Sequence, residues 1–81
     1  MHRLSSKTDI DKKLMRLGLA IRHRRKEVGL SQEVLAAKAG LERSNVGKIE
    51  RGENNLSILN LVRIAEALNC QAATILAAAG L

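Results

Sequence analysis

The sequence predicts an all-α protein, five short helices in one small domain. Three observations carry this. β-branched runs and period-two alternation are missing from the 81 residues, and there is no proline. Apolar residues recur instead at three- and four-residue steps, the spacing that lines one face of a helix. Residues 32–51, QEVLAAKAGLERSNVGKIER, read as two short helices joined by a tight turn at Gly40. With no Phe, Tyr or Trp, the interior must be filled by Leu, Ile, Val and Ala. A chain this short buries only about 60–65% of its unfolded surface, so its core is small.

Residues 1–7 are polar and basic without periodicity and are expected to form a flexible N-terminal tail, leaving residues 8–81 as the domain. The first helix is expected from Thr8, because Thr8 followed by Asp11 has the spacing of a capping box. Ile10, Leu14, Leu17, Ile21 and Val28 form its apolar stripe. Lys12, Lys13, Arg16, Arg22, Arg24, Arg25 and Lys26 occupy its polar face, and Gly29 ends it. Ser31 is an N-cap residue for the second helix, which places Gln32 and Glu33 in a first turn whose backbone N–H groups suit a phosphate.

In the second helix Leu35, Ala36 and Ala39 share one face, and Ala36 is small where the third helix must cross. Leu41 adds to the same core. The third helix, about Glu42 to Arg51, turns Val46 and Ile49 inward. Arg43, Ser44, Gly47, Lys48 and Arg51 then project outward, and the helix stops at Gly52. Three cations and a hydroxyl on one helix face suit a DNA major groove, where an arginine can present two donors to guanine O6 and N7. Glycine costs a helix interior roughly 1 kcal/mol relative to alanine. Gly47 is therefore expected to permit a close approach, to a base-pair edge or to a neighbouring helix.

After a polar loop at residues 53–56, Ser57 caps a fourth helix, Ile58 to Leu68. Its apolar residues Ile58, Leu61, Val62, Ile64, Ala65 and Leu68 span a wide arc, so it is expected to be mostly buried, and Asn69 marks its end. The fifth helix, about Gln71 to Ala79, is apolar nearly all round. A terminal helix on so small a domain cannot bury every face within its own chain. Homodimerisation through Ile75 and Leu76, with Leu56 and the fourth helix contributing, is the expectation.

Charge is unevenly placed. Residues 1–30 hold nine Lys and Arg against three Asp and Glu, whereas residues 31–81 hold five of each, so the formal +6 arises entirely in the first thirty residues. That field attracts polyanions. Cys70 is the sole cysteine, which excludes an intramolecular disulfide and fits a reducing cytoplasm. His2 and His23 have no ligand-type neighbours at metal-binding spacing. MHRLSSKTDI lacks the apolar run of a signal peptide, and the longest apolar run, near Ala72–Leu81, is too short to span a bilayer. No carboxylate pair, nucleophile–base set or phosphate-cradling glycine loop appears, so no enzymatic role and no cofactor are expected. The absence of aromatics argues against single-stranded nucleic acid as the partner, because bases would have nothing to stack on.

With LSQEVLAAKAGLERSNVGKIERGE in place, the chain resembles the phage-repressor-like (Xre/Cro) helix-turn-helix family from about Leu17 to Leu76. The resemblance rests on Leu30-Ser31-Gln32-Glu33, Ala39-Gly40-Leu41 and Ile49-Glu50-Arg51-Gly52 at their mutual spacing, with LVRIAEAL at 61–68 added. It implies a compact five-helix bundle of the phage-repressor DNA-binding type, its helix-turn-helix formed by helices 2 and 3. Carried over by position, Arg43, Ser44 and Lys48, with Asn45 beside them, would read base edges. Gln32, Arg51 and Asn55 would hold phosphates. Arg25 and Glu50 would form an orienting salt bridge, an assignment supported independently by the need for a cation near an acid at a helix C-terminus.

The family commonly places Ser or Thr ahead of the reading helix, and Glu42 stands there instead. That leaves a carboxylate either to accept from a cytosine amine or to steady Arg43. The compact length is similar to restriction–modification controller proteins. These resemblances imply a cytoplasmic homodimeric regulator on a double-stranded DNA operator, with half-sites roughly 34 Å apart, no membrane role and no small-molecule ligand. The alternative is an antitoxin or adaptor that uses the apolar last helix to bind a partner protein.

Overall fold

Five helices and no strand make up residues 12–81, the part of the chain that the computed structural model describes: α1 (Lys13–Glu27), α2 (Gln32–Ala39), α3 (Arg43–Glu50), α4 (Ile58–Ala67) and α5 (Ala72–Ala78). The expected tail at 1–7, the Thr8 cap and the inward Ile10 lie outside the described residues. Within them α1 is preceded by Lys12 at φ 55°, with no side-chain cap.

The other starts follow the sequence. Ser31 Oγ accepts from the Val34 amide at 3.1 Å, and Ser57 Oγ accepts from the Asn60 amide at 3.1 Å. Glu42 precedes α3 without capping it through its side chain, as its chemistry led one to expect. Each helix ends in one pattern, a residue at positive φ followed by an amide that reaches back to a carbonyl five residues earlier. At the turn between α2 and α3, for example, Gly40 has φ 71° and the Leu41 amide donates to the Ala36 carbonyl at 2.8 Å. The residue in this role is Gly29, Gly40, Gly52, Asn69 or Gly80.

The core is aliphatic. Ile21, Leu35, Val46, Ile64, Leu68 and Ile75 are fully buried, with Leu17, Ala36, Ala39, Ile49, Leu61, Ala65 and Ala79 around them. α2 packs on α3 and α4, α1 packs on α3 and α5, and α4 packs on α5. The approach of α1 to α3 is very close. A Cβ at Gly18 would collide with the carbonyl oxygens of Ile49 and Glu50, so only glycine lets the two backbones meet. A second close approach seats Gly52, at φ 73°, against the backbone of Met15.

Two expectations about the last helices need correction. α4 is not mostly buried: Leu61, Ile64 and Ala65 face the core, but Ile58 is 72% exposed, Leu59 59% and Val62 37%. Residues 58, 59 and 62 are three and four apart and lie on one face, so the wide apolar arc is two stripes, one inside and one outside. Ile75, conversely, is 2% exposed and belongs to the monomer's own core. It cannot present itself to a partner. Leu76 and Leu56 are half-buried against the core. No single helix among the described residues is long and apolar enough to cross a membrane.

Candidate nucleic-acid interface

α3 divides along its length. Val46, Gly47, Ile49 and Glu50 are buried, while Arg43, Ser44, Asn45 and Lys48 are exposed. These are the four residues expected to read bases, and each is exposed, spread over roughly half of the helix circumference. At 1.5 Å per residue the helix is about 12 Å long, comparable with the width of a B-DNA major groove. Arg51 and Asn55, expected at phosphates, are exposed just beyond its C-terminal end.

The buried side of α3 carries a charge. Glu50 is 5% exposed and Arg25 8%. The Arg25 Nε donates to Glu50 Oε2 at 2.7 Å and its Nη2 to Oε1 at 3.1 Å, while Nη1 donates to the Leu30 carbonyl at 2.9 Å. This fork-on-fork pair ties α1 to the C-terminal end of α3, as the family resemblance implied. The hydrogen bond to Glu50, opposed by burial and aided by the carboxylate's charge, raises the Arg25 pKa above its ordinary value. Glu50 also places its negative charge at the C-terminal end of α3, where it is unfavourable without a cation. Arg25 is therefore a scaffold residue and does not belong to the basic polar face of α1.

Arg24 leaves that face too. Its Nε donates to the Leu68 carbonyl at 3.1 Å and its Nη2 to the Asn69 carbonyl at 3.2 Å. It closes the C-terminal end of α4, where free carbonyls and the helix dipole favour a cation.

Gln32, expected at a phosphate, bonds protein groups. Its Nε2 donates to Glu50 Oε1 at 2.9 Å, and its Oε1 accepts from Arg43 Nη1 at 3.3 Å. Gly47, expected to face outward, is covered. A Cβ there would lie 3.2 Å from Arg51 Nη1 and 3.8 Å from Gln32 Oε1. The close approach it permits is thus made by two side chains of the same protein. Arg51 makes a bidentate pair with Glu53, Nε to Oε2 at 2.9 Å and Nη2 to Oε1 at 3.2 Å. That bond to Arg51 holds the Glu53 carboxyl below the usual carboxylate range, with the Lys48 charge contributing a little. Asn45 accepts from the Asn54 amide at 3.4 Å.

Sequence reasoning missed Gly18, Arg24 and Glu53. Gly18 had a usable signal, since a glycine inside an amphipathic helix asks for the same explanation as Gly47. Arg24 and Glu53 had none, because their roles depend on the ends of other elements.

Comparison with known proteins agrees with this geometry. The helix-turn-helix family profile matches residues 21–75. The chain is 42% identical over 52 residues to the control protein C.SmaI of Serratia marcescens, a match spanning 64% of this chain and 62% of that protein. It superposes with a TM-score of 0.78 and 41% identity on the restriction-modification controller protein C.AhdI from Aeromonas hydrophila, covering 79% of this chain and 97% of that one. A Y37A mutant of the restriction-modification controller protein C.Esp1396I gives a TM-score of 0.73 at 33% identity, over 78% of this chain and 82% of that one. The chain belongs to the helix-turn-helix family of DNA-binding transcription regulators and, within it, is similar to restriction–modification controller proteins.

Proposed function

We propose that this protein is a homodimeric transcription regulator that binds a pseudo-palindromic double-stranded DNA operator, in the manner of a restriction–modification controller. The observation that carries the reading is the two-sided α3. Four polar or cationic side chains, Arg43, Ser44, Asn45 and Lys48, stand exposed, and a buried Arg25–Glu50 pair fixes the helix to the fold. Arg43 and Lys48 contact base edges, with Ser44 and Asn45 adding hydrogen bonds. Arg51 and Asn55 contact the sugar-phosphate backbone. The Lys and Arg residues of α1 supply the field that draws DNA in. Dimerisation uses the exposed stripe of Ile58, Leu59 and Val62 with the edges of Leu56 and Leu76, replacing the buried Ile75 in that role. The protein acts in the cytoplasm, has no catalytic task and needs no small-molecule effector, so its own concentration is the signal.

The test begins with selection of a binding site from a randomised duplex pool, followed by affinity measurements on the selected site and on random DNA. With about 6–10 phosphate contacts per dimer, affinity falls on the order of 10³–10⁵-fold between 50 and 200 mM salt. Arg43→Ala relaxes preference at one base pair and costs about 1–3 kcal/mol on the operator. Failure to enrich any sequence, or a weak salt dependence, overturns the reading. The exposed apolar stripe also suits a different protein partner, as in an antitoxin or adaptor. A stable heterocomplex that forms in place of the homodimer would establish that alternative.

A further inference from the structure

We propose that Arg24 is a positioning residue for operator geometry: it locks the reading helix to the dimerising helix, and so makes the protein select the spacing between half-sites. This rests on the dimeric, DNA-reading role proposed above. α3 packs mainly on α1 and α2, whereas the exposed stripe of Ile58, Leu59 and Val62 lies on α4, which packs on α2 and α5. The two elements are therefore joined through α1 and α2. Arg24 and Arg25 are successive, so they leave α1 about 100° apart around its axis. Arg25 turns to α3 and grips Glu50. Arg24 turns away from it, its Nε donating to the Leu68 carbonyl at 3.1 Å and its Nη2 to the Asn69 carbonyl at 3.2 Å. Its Nη1 lies 3.9 Å from Glu27 Oε1, so all three guanidinium nitrogens face an oxygen of the protein.

The two carbonyls belong to the turn where α4 ends and α5 begins, at which Asn69 stands at φ 57°. Packing alone fixes the angle of that turn poorly. Beside Arg24 the seam between α1 and α5 is an open groove with Ala20, Thr74, Ala78 and Ala79 along its walls, and such short side chains interlock little. A planar guanidinium fixes both distance and rotation, and its charge is favoured at a helix C-terminus. The last turn of α1 is thus a crossbar, with one arginine on the reading helix and its neighbour on the end of the helix that carries the apolar stripe. Without Arg24 the α4–α5 unit can swivel on α1. Each reading helix then gains play relative to the twofold axis, and the dimer accepts half-sites that are wrongly spaced.

The experiment compares wild type, Arg24→Met, Arg24→Lys and Arg22→Met on the selected operator, on the operator with one base pair inserted or deleted between its half-sites, and on a single half-site. One base pair moves the second half-site by about 3.4 Å and turns it by about 35°. Arg24→Met keeps an apolar stem and removes every donor, while Arg22→Met removes the same charge from an exposed position. Circular dichroism melts and sedimentation check that each variant is folded and dimeric, and Arg24→Lys carries the test by itself if the methionine variant is not. The expected result is that the ratio of affinities for the operator and its respaced forms falls about fivefold or more in Arg24→Met, the lower end of typical coupling between sites. It falls less in Arg24→Lys, which keeps a cationic donor, and stays at the wild-type value in Arg22→Met. Affinity for the single half-site drops no further in the Arg24 variants than in Arg22→Met. An unchanged ratio in a folded, dimeric Arg24 variant overturns the inference. An equal fall in Arg22→Met overturns it too, because Arg24 would then be one more attracting charge. If wild type itself shows no preference for the selected spacing, the reading of a dimer on paired half-sites fails, and this inference falls with it.

Discussion

Gly18→Ala is expected to destabilise the protein, although alanine is the better helix former. At this position the added Cβ would stand 2.5 Å from the Glu50 carbonyl oxygen and 2.8 Å from its carbonyl carbon, and closer still to the Ile49 oxygen. Ordinary carbon–oxygen contacts are about 3.3–3.6 Å. Backbone atoms cannot turn aside as a side chain can, so α1 and α3 must separate by roughly 1 Å. Overpacking of this kind costs about 1–3 kcal/mol, against which the change from glycine returns about 1 kcal/mol of helix propensity. The strain does not end at the contact. Arg25 lies on the same helix about 10 Å further on, and its pairing with Glu50 at 2.7 and 3.1 Å would be stretched by the same separation. We expect a net loss of about 2 kcal/mol, a fall in Tm of about 8–16 °C for a domain of this size.

The assay is a thermal and urea melt followed by far-ultraviolet circular dichroism, since the chain has no aromatic residue to report by fluorescence. Samples must be compared at one protein concentration, because the proposed dimerisation would couple to stability. Gly47→Ala is the matched control. The atom nearest its new Cβ is the end of the Arg51 side chain at 3.2 Å, which can move, so stability should be unchanged or higher by up to about 1 kcal/mol. A Gly18→Ala protein as stable as wild type, or equal losses at the two positions, would refute the argument that backbone contact separates them.

Arg25→Ala strands the buried Glu50 carboxylate and should cost about 3–5 kcal/mol in urea unfolding, whereas Arg25→Met with Glu50→Leu should recover much of that loss; a single-variant loss below about 1 kcal/mol would show that the pair does not hold α1 to α3. Leu59→Lys should sediment as a helical monomer with weakened operator binding, while Ile75→Lys, at a fully buried site, should lose its fold; an intact dimer for the first variant would move the interface off α4. Glu53→Gln releases Arg51 from its bidentate partner and should tighten DNA binding by roughly two- to fivefold, and no change would place Arg51 away from phosphate. Because Arg51 lowers the Glu53 pKa, the pair is present above the ordinary carboxylate range and is lost as pH falls through the lowered value. Wild-type affinity should therefore approach that of Glu53→Gln only in acid, as a titration of Kd against pH would reveal.

Local rules determined much of this protein from the sequence alone. Ser31 and Ser57 cap helices because their hydroxyls reach an amide three residues on. Gly29, Gly40, Gly52 and Asn69 end them because each stands where the chain needs positive φ. Apolar spacing on α2 and α3 identified Leu35, Ala36, Ala39, Val46 and Ile49 as core. The same period turned Arg43, Ser44, Lys48 and Arg51 outward on α3, and all four are exposed, whereas Gly47, turned outward by the same count, is buried. These properties depend on neighbours within about four residues, which the sequence displays directly. The Arg25–Glu50 pair was legible only through family resemblance and the helix dipole, since 25 residues separate its members.

What the tertiary structure decided depends on which element lies opposite. The apolar arc of α4 was visible, but only the place of α2 and α5 beside it separates Leu61 and Ile64 from Leu59 and Val62. Ile75 and Leu76 are adjacent in sequence and alike in character, yet the first is core and the second half-buried. Gly47 and Gly18 are both helix-interior glycines, and only the crossing of α1 over the end of α3 makes one of them indispensable. Gln32 bonds Glu50 and Arg43, both on α3 and at least eleven residues away in sequence, so its partners depend on how α2 and α3 pack.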